Sequence, residues 1–223
     1  MASTSVNPGY QDIRIYFMVI IDFDDTIFNT QAFKRARIEA LERVGVSEEL
    51  YHETYMEARQ KDSVLIYSDE AHADALAGRG FSRETVLATL ESLAGTTTYL
   101  FEDSSLFIES LKRRNASLVL LSLGAPAFQE KKIHQSGLEN VFDQKYITNT
   151  NKADVLLSLL VNEVAPVWFI NDKVDETRAL AAQFPKLKPV LHVSSAIAEE
   201  EYQKSGLPYF KTLTEIFEYV TAE

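Results

Sequence analysis

The residues best suited to chemistry open directly after an apolar run, in "VIIDFDDTIFNT", residues 19–30. Asp22, Asp24 and Asp25 stand together there, with only Phe23 between the first two. Carboxylates crowded at one point repel each other unless a positive charge sits among them. If strand geometry persists locally, Asp22 and Asp24 project to the same side, because side chains alternate along a strand. One carboxylate can then act as a nucleophile while its neighbour gives and takes a proton. Later in the chain, Ser122 follows "SLVLL", Lys152 follows "KYIT", and Asp172, Asp175 and Glu176 follow "VWFI". Hard oxygen donors with no cysteine and little histidine suit Mg2+. Asp22 and Asp172 would be its direct ligands. The ion would offset their repulsion and draw a phosphate into acidic surroundings. Ser122 and the amides of Leu123 and Gly124 would donate to phosphoryl oxygens, Gly124 letting the backbone come close. Lys152 would add a mobile positive charge.

These positions matter only if the fold gathers them. "IRIYFMVIID" is apolar almost throughout and rich in β-branched and aromatic residues, which predicts a strand buried on both faces. After a helix "DSSLFIESLKRRN", strands "SLVLLS", "KYIT", "VWFIN" and "PVLHVS" alternate with helices. That alternation predicts a doubly wound parallel sheet with helices on both faces, a Rossmann-like α/β core. Pro126 and Gly137 bracket one of the helices, and Thr212 with Glu215 forms a capping box at the last one. Ligands in such sheets bind beyond the carboxyl ends of the strands, where these acids, the serine and the lysine fall.

Between Gln31 and Gly95 the pattern changes. "QAFKRARIEALERV", "SEELYHETYMEARQ" and "SRETVLATLESLAG" read as helices, the last with Ser82 as N-cap and Gly95 as stop. The block shows no convincing buried strand. The expected organisation is a core of residues 1–29 and 96–223 with a helical insertion at 30–95. Within the insertion, His52, Tyr51, Tyr55 and Arg59 are read as surface and packing residues, and Arg79 in "GRGF" as part of a plain connection. His134 and His192 lack metal-site spacing, and Trp168 and Phe169 are read as core.

Composition narrows the partners. The net charge of −11 repels nucleic acid and anionic membrane. The absence of cysteine excludes disulfides, thiolate metal sites and cysteine nucleophiles. The start carries no basic region before an apolar core, and the longest apolar run is too short to span a bilayer. A cytoplasmic protein, monomeric or homodimeric, acting on a small phosphorylated substrate is expected.

"DFDDT" resembles the Asp-x-Asp-x-Thr first motif of the haloacid dehalogenase-like phosphatase superfamily. Ser122, Lys152 and the acids after "VWFI" are similar to its second, third and fourth motifs, in order, so that the resemblance covers essentially the whole chain. The helical block falls where that superfamily inserts its C1-type caps. The resemblance implies that Asp22 is a nucleophile forming an aspartyl-phosphate. It implies that Asp24 is the general acid and base with its backbone carbonyl on Mg2+, and that Thr26 shapes the turn. Asp25 is read as a turn residue. The resemblance disfavours dehalogenation, because true haloacid dehalogenases lack an acid at the position of Asp24. Where the superfamily commonly has Gly-Asp-x-x-x-Asp or Asp-Asp, this chain reads Asn171-Asp172-Lys173-Val174-Asp175-Glu176. Both Asp175 and Glu176 stand as candidates for the second acid, Glu176 at the usual offset. A Mg2+-dependent phosphohydrolase leads. A phosphomutase of the same superfamily is the alternative, and a phospho-signalling or ligand-binding module without turnover is a third reading.

Overall fold

The computed structural model describes residues 17–61, 64–93 and 98–222. Residues 13–16 of the first expected strand and the expected helix stop at Gly95 lie outside them. Strand β1 (Met18–Ile21) delivers Asp22 at its end. The chain then enters helices α1 (Thr30–Glu42) and α2 (Glu48–Arg59). A short antiparallel hairpin follows, β2 (Gln60–Lys61) with β3 (Val64–Leu65). It adds a strand pair to a block in which no buried strand is expected, and Val64 and Leu65 are only partly buried. Two residues on each side are too few to leave a readable alternation. Helices α3 (Asp69–Ala77) and α4 (Arg83–Ser92) complete the block. Ser82 caps α4 by accepting from the Thr85 amide, as expected.

The chain then alternates through α5 (Ser104–Arg113), β4 (Ser117–Leu123), α6 (Pro126–Gln135), β5 (Gln144–Thr148), α7 (Ala153–Leu160) and β6 (Val167–Asn171). It finishes through α8 (Val174–Gln183), β7 (Leu187–His192), α9 (Glu199–Lys204), β8 (Tyr209–Phe210) and α10 (Leu213–Ala222). Six strands form one sheet in the order β5-β4-β1-β6-β7-β8, every pairing parallel. Helix α3 and strand β8 are additions to the sequence reading. Pro126 opens α6, and Gly137, at φ 71, follows its end in the left-handed conformation that glycine adopts without strain. At α10 the Glu215 carboxylate accepts from the Thr212 amide, and the Thr212 hydroxyl accepts from the Glu215 amide, completing the capping box.

The sheet is buried on both faces, and the pleat decides which residue faces which layer. Val19, Ile21, Leu118, Leu120, Trp168 and Ile170 pack with residues of α5 and α10. Their alternates Ile20, Val119, Leu121 and Phe169 pack with residues of α7 and α8. The helical block has an apolar cluster of its own, built on Ile38, Leu41, Tyr51, Leu76, Val86 and Leu90. From β1 the chain runs to β4 and β5 on one side, then returns to β6 on the other. The carboxyl end of β1 is therefore a topological switch point, where a crevice opens.

Candidate active site

The turn after β1 sets the first acids. Asp25 takes φ 57, a left-handed conformation that aspartate tolerates because its short polar side chain bonds locally. Its amide donates to the Phe28 carbonyl at 2.7 Å, and its carbonyl accepts from Nδ1 of His192 at 3.1 Å. His192 therefore clamps the turn from β7. Asp25 serves the turn, as the sequence reading held.

Asp22 is buried, and Lys152 from the start of α7 reaches one of its oxygens at 2.7 Å. The second oxygen has a long contact from Thr26 Oγ1, 3.4 Å. Burial raises the Asp22 pKa, with Lys152 and Lys173 acting in the opposite sense. Lys152 also pairs with Glu176 at 2.8 Å. Burial alone would lower the Lys152 pKa, but the two acids raise it, so it stays charged. Asn171 at the end of β6 donates to the same Glu176 oxygen at 2.9 Å. The second acid of this cluster is thus Glu176. Asp175, one residue earlier, points out of it, 92% exposed and paired with Arg178. That corrects its candidacy as a metal ligand: on a helix, adjacent residues face about 100° apart, and only one can look inward.

Asp172 follows β6. It is buried, and one of its carboxylate oxygens has no hydrogen-bond partner among the described residues. Burial and the neighbouring Asp22 charge push it up to about 8. Its loop is pinned from above, because the buried Tyr202 hydroxyl donates to the Asp172 carbonyl at 3.0 Å. Two buried carboxylates with raised pKa values, one with an orphaned oxygen, are a set a divalent cation would stabilise. The donors are hard oxygens, which fits Mg2+, an ion that needs only one or two carboxylates and keeps several waters. Among the described residues no three His, Cys, Asp or Glu side chains group as a cluster able to hold an ion. Glu176 is committed to Lys152 and Asn171, which leaves Asp22 and Asp172 as the carboxylates for it.

Asp24 has partners the sequence did not disclose. Its carboxylate accepts from Thr30 Oγ1 at 2.7 Å and from Gln129 Nε2 at 2.6 Å, and it pairs with Lys132. Burial would raise its pKa, but the Lys132 charge and these three hydrogen bonds outweigh it and hold the carboxyl at about 2. Gln129 and Lys132 lie three residues apart on one face of α6, which turns inward together with Ile133. Sequence reasoning missed both, and no local signal marks them, because the inward face of "PAFQEKKIHQ" carries Gln129 and Lys132 with Ile133 and makes no apolar stripe.

Gln129 also donates to Ser122 Oγ at 2.7 Å. A Cβ added at Gly124 would stand 2.8 Å from its side chain, so the close approach this glycine permits is by Gln129. The Gly124 amide donates to the Thr148 carbonyl of β5 at 2.8 Å. This corrects the expectation that it is free for a phosphoryl oxygen, because sheet pairing runs one residue past the strand end. Ser122 is fully buried beneath Gln129, while Leu123 and Gly124 line the cavity.

The cavity above these residues measures about 150 Å³. Asp22 and Asp24 lie on its floor, and Tyr51, Tyr55, Arg59 and Arg37 of the helical block line the other side. Tyr51 and Tyr55 pack in the helical block, as the sequence predicts, and together with Arg59 they also line the cavity. They share a helix with apolar neighbours, and sequence periodicity does not separate a cavity wall from a core. His52 stays outside, paired with Glu48, as does Arg79, paired with Glu53 and Glu57. Arg37 is buried and bonds Asp69 at 2.7 Å. Lys131 of α6 takes the other oxygen of Asp69, also at 2.7 Å, tying the helical block to the sheet's own helices.

Comparison with known proteins agrees with this architecture. The family model for haloacid dehalogenase-like hydrolases matches residues 18–199. No curated protein matches. Among solved structures, a putative beta-phosphoglucomutase from Thermotoga maritima superposes with a TM-score of 0.65 at 16% identity, covering 92% of this chain and 99% of the other. L-2-haloacid dehalogenase from Xanthobacter autotrophicus with chloropropionic acid covalently bound gives 0.62 at 16% identity, covering 93% and 99%. The putative hydrolase YfnB from Bacillus subtilis, bound to magnesium, gives 0.61 at 15%, covering 92% and 98%. Likeness at these identities is likeness of fold.

Proposed function

This chain belongs to the haloacid dehalogenase-like hydrolases, and from that premise we propose that it is a Mg2+-dependent phosphohydrolase acting on a small phosphorylated metabolite. The observation that carries the reading is that Asp22, on the cavity floor, pairs with the buried Lys152 while one oxygen of the neighbouring buried Asp172 has no partner among the described residues. Asp22 and Asp172 would hold Mg2+, with the Asp24 carbonyl. When bound, the ion supplies positive charge for the phosphoryl oxygens. The helices between residues 30 and 95 serve as the cap.

In this reading Asp22 attacks phosphorus, and the bond from phosphorus to the leaving oxygen breaks. Lys152 fixes one Asp22 oxygen and leaves the other to react, while Glu176 and Asn171 hold Lys152 in place. The leaving oxygen takes its proton from the Asp24–Lys132 pair. Asp24 rests as a carboxylate, so at neutral pH the proton of that pair sits on Lys132 and reaches the leaving oxygen through Asp24. Water then gives a proton to Asp24, which passes it back to Lys132, and attacks phosphorus; the bond from phosphorus to the Asp22 oxygen breaks, releasing inorganic phosphate and regenerating the carboxylate.

A panel of sugar, nucleotide and acid phosphates, assayed for phosphate release with and without Mg2+, tests the reading. At least one substrate is expected to turn over only with the ion. A flat profile would refute the assignment. Formation of an isomeric sugar phosphate without net phosphate release would make the chain a phosphomutase instead.

A further inference from the structure

Some of the cations around the cavity are held in ion pairs and others are not. Lys152 answers Asp22 and Glu176, Lys132 answers Asp24, and Arg37 answers Asp69. Three cations remain on its walls: Lys34 of α1, Arg59 at the end of α2, and Lys173 after β6. Among the described residues none of the three has an ion-pair partner. On the outer surface Arg35 pairs with Glu48, Arg79 with Glu53, Arg83 with Asp74 and Lys145 with Glu130, whereas Arg43, Lys112 and Arg114 face solvent; what singles out Lys34 and Arg59 is their place on the cavity wall.

Lys173 belongs to the floor, where its charge acts on Asp22, Asp172 and Glu176. Lys34 and Arg59 lie on the helical side and flank Tyr55. Lys34 Nζ stands 5.7 Å from the Tyr55 ring centroid, and the Arg59 charge acts on the Tyr55 hydroxyl. Tyr51 stacks on Tyr55 with centroids 5.9 Å apart. The Tyr51 side chain is 1% exposed, and its hydroxyl has no hydrogen-bond partner among the described residues, although it lines the same cavity. Two cations without an ion pair and a buried hydroxyl without a hydrogen-bond partner among the described residues thus line the cavity that the nucleophile also lines. A buried donor left without a partner is costly, and a ligand that accepts from it removes the cost.

We propose that Lys34, Arg59 and the Tyr51 hydroxyl form a second anion subsite, which takes the carboxylate of a short phosphorylated carboxylic acid. The proposal rests on the reading that the floor around Asp22 takes the phosphoryl group. The guanidinium fork of Arg59 matches a carboxylate, to which it can donate two parallel bonds. The cavity is of the size that admits a single benzene ring, so the carbon skeleton between the two anions is short.

Binding to the full chain with Mg2+ is read by calorimetry, independently of turnover. The probes are phosphonoacetate, 3-phosphonopropionate and 4-phosphonobutyrate, each against the alkyl phosphonate of matching length. At least one acid is expected to bind about tenfold or more tightly than its alkyl match, the size of a charge-assisted hydrogen bond. That preference is expected to disappear in Arg59→Gln and in Lys34→Met, to return in part in Arg59→Lys, and to persist in Arg35→Gln on the exposed face of α1. Equal binding of acid and alkyl probes, binding of neither, or a preference that survives both variants would overturn the subsite. Hydrolysis of the panel of sugar, nucleotide and acid phosphates is measured in parallel. No hydrolysis with the acid preference intact removes the phosphohydrolase reading alone. Hydrolysis without the preference removes the subsite alone.

Discussion

Replacing Lys132 with methionine isolates the least anticipated contact of the site. Methionine keeps the length and the apolar body, so packing against Phe23, Phe28 and Phe128 survives while the charge is lost; the Lys132 Nζ stands 5.2, 5.1 and 5.5 Å from those ring centroids. Asp24 then keeps its bonds from Thr30 and Gln129 but no cation. The gap between its ordinary 3.8 and its folded value of about 2 corresponds to about 2.4 kcal/mol of stabilisation at neutral pH. The Asp24 side chain is 25% exposed, so water recovers part of this, and a loss of about 2 kcal/mol is expected, below the roughly 3–5 kcal/mol of a fully buried broken pair. The sign follows from a depressed carboxyl. Its contribution is fully present above pH 3.8 and disappears as pH falls through about 2. Urea midpoints of the wild type and Lys132→Met should therefore differ most at pH 7 and converge below pH 4. On an Asp24→Asn background the same change leaves no stranded charge, and its cost should drop below about 1 kcal/mol. Equal losses on both backgrounds, or no loss at pH 7, would refute the account of Asp24.

Three further outcomes follow from the same geometry. Asp22→Asn should reduce phosphate release by more than about a thousandfold, as removal of a nucleophile does, while circular dichroism shows an intact fold. Without the ion, wild-type stability should fall as pH rises toward 8, because folding raises the Asp172 pKa to about 8 and its ionisation is resisted. Mg2+ should reverse this, adding about 2.7 kcal/mol at a hundredfold excess over its dissociation constant, and Asp172→Asn should abolish both effects in thermal unfolding. Glu176→Gln should lower turnover by about tenfold or more, since it removes one of the two acids that hold Lys152, whereas Asp175→Ala should leave activity and stability within about 0.5 kcal/mol of wild type. Parallel kinetics on the two variants decide which acid serves the site.

The legible part of this molecule was the part written in strand ends. β1, β4 and β6 are buried on both faces, so they appear as unbroken apolar runs, and the residues closing them, Asp22, Ser122 and Asn171-Asp172, could be read off directly. Lys152 was legible for the same reason, as the start of the helix after β5. α3 escaped because its inward face is made of Ala73, Leu76 and His72, too small and too polar for an apolar stripe. β8 and the β2–β3 hairpin are two residues per strand, and only their partners define them. Gln129 and Lys132 were missed for a different reason. Their meaning depends on α6 folding over the carboxyl end of β1, a contact 105 and 108 residues away in sequence that no local pattern records. Asp175 and Glu176 could not be separated without the phase of α8. The cavity wall at Tyr51, Tyr55 and Arg59 could not be told from packing, because a wall and a core use the same side chains.

Asp69 has a consequence for motion. Its two oxygens are answered from opposite sides, by Arg37 within its own bundle and by Lys131, 35% exposed, from α6. Were the bundle to swing outward, the Lys131 contact would part and the Arg37 contact would travel along with the acid. No position along that path leaves a lone charge in an apolar interior. That ion pair is the weakest tie to be broken, under about 1 kcal/mol; resistance to the swing comes instead from the Leu65 amide, which donates to the Asn149 carbonyl at 3.1 Å, and from Tyr67, whose ring packs edge-on 4.6 Å from that of Phe128.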